Sequence, residues 1–356
     1  MTETAPVGYP PRMSDPVATA GVLAEQLAPG AAATERDGVR RAVLDRFAAG
    51  GLHGLLGPAE AGGTGTPVST YREVAELLAG ADGNTWFVWF QHNPVVKLLT
   101  ASANDALRDR WLRALCTGTT QTGVAYSHVR SPRTVVRAER IPGGWRLTGD
   151  VAWCTGWGLA DLVLLGATAD DGRVVLALVP MVAGPALVPS APLALAAMGG
   201  TGTVGLRLVG LDVADDDVVS VTDGESWAAG DANANANVQP STFGVARAAL
   251  AGLRGHDRET AAVLAERLYD VRDRAYRLAD ERPPADDVEE KLATRAEALL
   301  LGVEITSAFL ASVGGRGMDL AHPAQRWARE AQFHLIQAQT GAVRAATLAR
   351  IRAGAA

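Results

Sequence analysis

The chain of 356 residues is poor in cysteine and lysine, with only Cys116, Cys154, Lys97 and Lys291. Two cysteines make neither a disulfide framework nor a four-thiolate metal site. The six histidines (His53, His92, His128, His256, His322 and His334) form no i,i+4 pair and no HExxH run, so no metal site is expected. The sequence also lacks a GxSxG elbow and a P-loop, which removes the commonest hydrolase and NTPase signals. Its 33 basic and 39 acidic residues give a net charge of −6 without a long run of one sign, which excludes the electrostatic footprint of a nucleic-acid or membrane-surface binder. The opening MTETAPVGYPPR has no apolar signal-peptide core, so a cytoplasmic location is expected. An uncharged run from Val174 to Leu206 is long enough to span a bilayer, but Pro180, Pro185, Pro189 and Pro192 interrupt it, so no membrane helix is expected there. What is present, 48% hydrophobic and 20% charged residues, is the composition of a globular chain with a large core. A small molecule or another protein is the expected partner.

Hydrophobic periodicity divides the chain into three. A Pro-rich, frayed start of about 15 residues leads into helical patterns such as VATAGVLAEQLA, STYREVAELLAGA and TWFVWFQHNPVVKLLTAS. Near Thr120 the texture changes to short β-prone runs: TGVAYS, TVVRAER, GWRLTGDVAWC, DLVLLGAT, RVVLALV and TVGLRLVGLDV. In the third run Trp145, Leu147, Val151 and Trp153 share a parity, which predicts one apolar strand face. From about Ser226 helices return, with Leu264, Leu268, Val271, Ala275 and Leu278 in bundle rhythm. The expectation is an α+β multi-domain chain: an N-terminal helical domain over 1–119, a central antiparallel β-barrel or sheet domain over 120–224, and a C-terminal four-helix bundle over 225–356. Gly200, Gly202 and Gly205 spell GxGxxG, but a strand pattern follows, so they predict a β-turn and not a nucleotide loop.

Three segments in the order helical, β, helical carry a resemblance. GWRLTGDVAWCTGWGLADLVLLGA resembles the middle-domain signature of the acyl-CoA dehydrogenase superfamily, GLHGLLGPAEAGGTG its N-terminal loop, and GGRGMDLAHPAQRWAREA its C-terminal motif. The resemblance implies a flavin site, with FAD expected and FMN possible, in which the Trp153 indole lies against the isoalloxazine. It further implies that Thr155, Ser127 and Thr340 are cofactor contacts. A homodimer or homotetramer is implied as well, with the flavin site built across a subunit contact.

The same alignment places Ala338 where the family has its catalytic glutamate, and a methyl group removes no proton. At the glutamate position used by some relatives, near Ala234, there is no carboxylate, and Asp231 is the nearest. The acidic serine loop reads SHVRSPRT, and the arginine element that holds a neighbouring flavin pyrophosphate is missing where LRGHDRETAAVL is shorter. His92 is the candidate catalytic residue, because its proximity to Pro94 predicts a helix break aimed inward, with Asp319 or solvent as other proton acceptors. His128 and His334 are secondary candidates, Arg326 and Arg329 are expected in ion pairs between helices, and Trp86, Phe87, Trp89 and Phe90 suit an apolar pocket. Three functions stay open: a flavin oxidoreductase acting on an acyl thioester or related small apolar substrate, a flavin-dependent monooxygenase on the same fold, and a scaffold or non-redox enzyme without cofactor.

Overall fold

The computed structural model describes residues 15–354, so the frayed start expected from the sequence lies outside the described residues. Six helices build the first part: α1 (Pro16–Leu27), α2 (Ala31–Asp37), α3 (Arg41–Ala49), α4 (Val68–Ala81), α5 (Gly83–Thr100) and α6 (Asp105–Thr117). Asp82 caps α5 by accepting from the Asn84 and Thr85 N–H groups, which satisfies donors that the first turn leaves open. Pro94 does not break α5, contrary to the expectation from sequence. The helix runs through it because Val95, Val96 and Leu99 on the following turn are buried.

Eight strands follow: β1 (Thr122–Ala125), β2 (Val136–Ile141), β3 (Gly144–Cys154), β4 (Leu162–Ala169), β5 (Val174–Pro180), β6 (Leu187–Pro189), β7 (Val204–Ala214) and β8 (Val218–Thr222). Their order is β6-β7-β3-β2-β4-β5-β8, with β1 added beside β4. The sheet is mixed and not purely antiparallel, since β1 and β2 both pair with β4 in parallel. The strand patterns alone carried no signal for direction. The short β6 and β8 escaped the sequence reading, β6 because it lies within the Pro-rich uncharged run. Of the GxGxxG glycines, Gly200 lies in a 3-10 turn, Gly205 within β7 and Gly202 between them, where φ is +62° and a Cβ would meet the Trp157 carbonyl at 2.8 Å.

After α7 (Gly224–Ala234), helices α8 (Pro240–Leu253), α9 (Arg258–Glu281), α10 (Val288–Val313) and α11 (Pro323–His334) share one core, and α12 (Gly341–Gly354) packs on α10. The long apolar α10 would pass a length test for crossing a membrane, yet here it is the central helix of the bundle, contacting α8, α9, α11 and α12. The bundle meets the first domain through glycines. A Cβ on Gly80 of α4 would lie 2.8 Å from the Gly244 carbonyl oxygen of α8, and one on Gly244 would lie 2.3 Å from the Glu76 carbonyl oxygen. That approach buries the Glu76 carboxylate, which accepts from Arg247 (2.6 Å), Arg272 (2.8 Å) and the Tyr276 hydroxyl (2.5 Å). Replacing Gly244 with Ala inserts a methyl group where backbone stands, so stability should fall by about 1–3 kcal/mol. A urea melt with an unchanged midpoint would refute this account of the α4–α8 contact.

Candidate active site

The C-terminal end of β3, α5 and the end of α11 converge on one region. Residues Val151 and Cys154 of β3 pair with Leu206 and Val204 of β7, so β3 carries one extra residue between them. This bulge reverses the alternation: Val151 and Cys154 point into the core of the sheet domain, while Trp153 turns outward with 53% of its surface exposed. The predicted apolar face therefore ends at Val151. Thr155, two positions on, is buried and shares its hydroxyl with Thr203 (3.0 Å), which in turn bonds Thr201 (2.8 Å). The indole and the hydroxyl of these neighbouring positions thus occupy different environments.

Next to them, a Cβ on Gly156 would lie 3.7 Å from Val88 of α5, and one on Gly123 of β1 would lie 2.8 Å from the Thr155 carbonyl oxygen. Ser127 follows β1 in an exposed 3-10 turn. On the helical side Phe87 and Phe90 are half-buried, and Phe87 meets Phe333 of α11 edge-on at 4.9 Å. Trp86 and Trp89 are core residues, the latter donating to the Leu52 carbonyl. The aromatic pocket expected from the sequence is therefore reduced to the two phenylalanines of this helix face.

His92, the catalytic candidate, points into the protein interior. One ring nitrogen lies 3.0 Å from the Leu115 carbonyl and the other accepts from the Thr122 N–H at 3.2 Å, so the backbone satisfies both sides of a neutral ring. It packs edge-on against the buried His53 ring at 4.8 Å, and burial pushes its pKa down to about 4. The geometry gives His92 a structural post joining α5, α6 and β1, not the helix break expected. His128 bonds the Gly166 carbonyl at 2.8 Å, and Asp319 is exposed and accepts from the Ala321 N–H. Arg329 does bridge helices as expected, in a two-pronged pair with Glu35, while Arg326 pairs with Glu330 on its own helix and also reaches the Ala81 carbonyl.

The turn between α11 and α12 is the remaining wall. Ala338 takes a left-handed φ of +49°, and Thr340 caps α12 by accepting from the Val343 N–H at 3.2 Å. Buried His334 closes α11 against the edge of Trp86 at 5.6 Å. Its Nδ1 faces the Gln337 side-chain oxygen at 3.3 Å, which assigns the ring proton to Nδ1 and leaves Nε2 as a lone pair with no partner among the described residues. Burial holds His334 neutral, with its pKa pushed down to about 4. One turn earlier burial lifts Glu330, with one oxygen unpaired, to about 7. His334 was a secondary candidate in the sequence, whereas the Gln337 contact had no local signal, since only the turn folds that side chain back on the ring.

This three-part architecture defines an acyl-CoA dehydrogenase type of fold. Residues 18–119 match the family described as acyl-CoA dehydrogenase, N-terminal domain. Dibenzothiophene monooxygenase of Rhodococcus erythropolis is 30% identical over 178 residues, 47% of this chain and 42% of that protein. The chain thus spans less than half the length of this curated relative. Butyryl-CoA dehydrogenase from Megasphaera elsdenii superposes with a TM-score of 0.79 at 16% identity, covering 94% of this chain and 97% of that one. The FMN-bound TdsC from Paenibacillus sp. A11-2 superposes with a TM-score of 0.77 at 20% identity, covering 95% of each chain. Residues 18–119 are thus matched by sequence to that family's N-terminal domain, and nearly the whole length of the chain shares the acyl-CoA dehydrogenase fold.

The buried neutral histidines set an acid limit. Both His92 and His334 have folded pKa values of about 4, below the unfolded value near 6.5. Below pH 6.5 the unfolded chain binds protons that the folded one refuses, so stability should drop by about 1.4 kcal/mol per histidine per pH unit down to about pH 4. Urea midpoints measured from pH 7.5 to 4.5 should show this slope, and His92→Gln should flatten it. A pH-independent midpoint would contradict the assignment of these rings as neutral.

Proposed function

We propose that the chain is a flavin-dependent monooxygenase acting on a small apolar substrate. The observation that carries this reading is the α11–α12 turn. Position 338 offers a methyl group, and the titratable side chain beside it is His334, a neutral ring whose depressed pKa makes it a weak base. A dehydrogenase of this fold must remove an α-proton with a positioned base, and losing that base costs orders of magnitude in rate. Oxygen insertion needs no α-carbon base, only a group that holds or passes a proton.

The residues present fit a flavin on two counts: an outward indole at Trp153 and an unpaired nitrogen at His334. Trp153 would cover one ring face and keep water off it, and exposed Ser127 would supply a hydroxyl, while the buried Thr155 and Thr340 hydroxyls are already bonded to Thr203 and the Val343 N–H. When bound, the flavin, as FAD or alternatively FMN, supplies electron transfer and oxygen activation. His334 holds a proton at Nδ1 against Gln337 and presents Nε2 to exchange one, and Phe87, Phe90 and Phe333 form an apolar substrate wall. Support comes also from the monooxygenase among the sequence relatives. Dehydrogenation of an acyl thioester is the second reading, favoured by the dehydrogenase fold itself. Self-association as a dimer or tetramer belongs to either reading and is supported by exposed Leu348 and Ile351 on α12.

The purified protein should bind flavin with a visible absorption band, and extraction followed by chromatography will distinguish FAD from FMN. With reduced flavin supplied, it should consume oxygen in the presence of an aromatic substrate, and an acyl-CoA added anaerobically should leave the flavin band intact. Bleaching by acyl-CoA would overturn the monooxygenase reading, and failure to take up either flavin would overturn both. His334→Ala should lower turnover by roughly 100-fold if its ring moves the proton.

A further inference from the structure

The turn that holds His334 is anchored by a buried charge with no carboxylate partner among the described residues. Arg295 on α10 is 1% exposed, and its guanidinium bonds the Asn235 carbonyl, the Asn237 carbonyl (3.3 Å) and the Gln337 carbonyl (2.9 Å). Asn235 is the C-terminal cap of α7, and Gln337 lies in the turn that ends α11. The Asn235 carbonyl is at the negative end of α7, which offsets part of the cost of burying a guanidinium, and the Gln337 carbonyl lies in the turn just after α11. The neighbouring carboxylate, Asp231, is already committed to Arg130 through two bonds of 2.7 and 2.8 Å, and it accepts a third from the Asn235 side chain at 3.0 Å. Hydrogen bonds thus link Arg130, three residues after Ser127, to Asp231 and the Asn235 side chain, Arg295 to the backbone carbonyls of Asn235 and Gln337, and the Gln337 side chain to His334.

We propose that Arg295 is the positioning residue of this site: by drawing the C-terminal ends of α7 and α11 onto one guanidinium, it holds Gln337 where its side chain orients the His334 ring. The inference rests on the reading that His334 handles the proton of the reaction. Arg295 acts on His334 in two ways. It fixes the backbone of the orienting residue, and its positive charge opposes a second positive charge on the imidazole. Burial and the nearby Arg130 press Arg295 down only to about 10, so it stays charged at neutral pH. The other groups around the ring are the uncharged Trp86 of α5, Gln337 itself, and, along α11, Glu330 and Arg326 paired to each other, with Asp82 at the head of α5 acting on Glu330.

The test uses full-length protein, with histidine side-chain NMR and His334→Gln to identify the resonance. In Arg295→Met the His334 titration should move up by roughly one pH unit, since one nearby positive charge is gone. The acid limb of the turnover profile should move with it, and Arg295→Lys, which keeps the charge, should restore most of that shift while recovering less of the rate. Arg295→Gln serves the same purpose should the Met variant fail to fold. If the titration and the acid limb stay in place in these variants while His334→Gln still abolishes turnover, Arg295 is not the positioning residue. If His334→Gln leaves turnover unchanged, it is the proton-handling reading that fails, whatever Arg295 does.

Discussion

A guanidinium buried among carbonyl oxygens, with no carboxylate partner among the described residues, sets what the rest of the site can be. Arg295 draws together the ends of α7 and α11 and so decides where the turn carrying Ala338 lies. Burying such a charge is costly unless dipoles face it, and the C-terminus of α7 together with carbonyls of the turn after α11 supply them. Burial keeps His334 neutral, and the positive field of Arg295 adds to that by disfavouring a second cation. Ala338 and His334 are thus parts of one electrostatic arrangement in which neutral hydrogen bonding replaces carboxylate chemistry.

The opposite wall depends on a local irregularity in β3. Without the extra residue between Val151 and Cys154, Trp153 would point into the core of the sheet domain with Trp145, Leu147 and Val151. The bulge gives up ladder hydrogen bonds to turn an indole outward. Bulges accumulate at sites where a side chain must be re-aimed, and this one places a large aromatic surface outside the core. The glycine contact of α4 with α8 then joins the first domain and the bundle around the buried Glu76.

The histidines show where sequence reading reaches its limit. His92 and His334 look alike in the sequence, each near an aromatic residue on a helix. In the fold, backbone groups occupy both nitrogens of His92, whereas one nitrogen of His334 is left without a partner. The difference comes from Thr122 and Leu115 on one side and Gln337 on the other. In the first case these are contacts across 30 and 23 residues, which no local pattern encodes.

Hydrophobic period and glycine placement determined the three-part architecture, because amphipathic repeats of 3.6 and 2 are local properties of the chain. Trp153, Thr155 and Ala338 stood out only through the resemblance of the segments around them to acyl-CoA dehydrogenase motifs. Tertiary structure alone decided which way Trp153 faces, which strands run parallel, and which histidine keeps a free lone pair. Those outcomes turn on register, a bulge and long-range hydrogen bonds, and each depends on residues brought together only after the chain has folded.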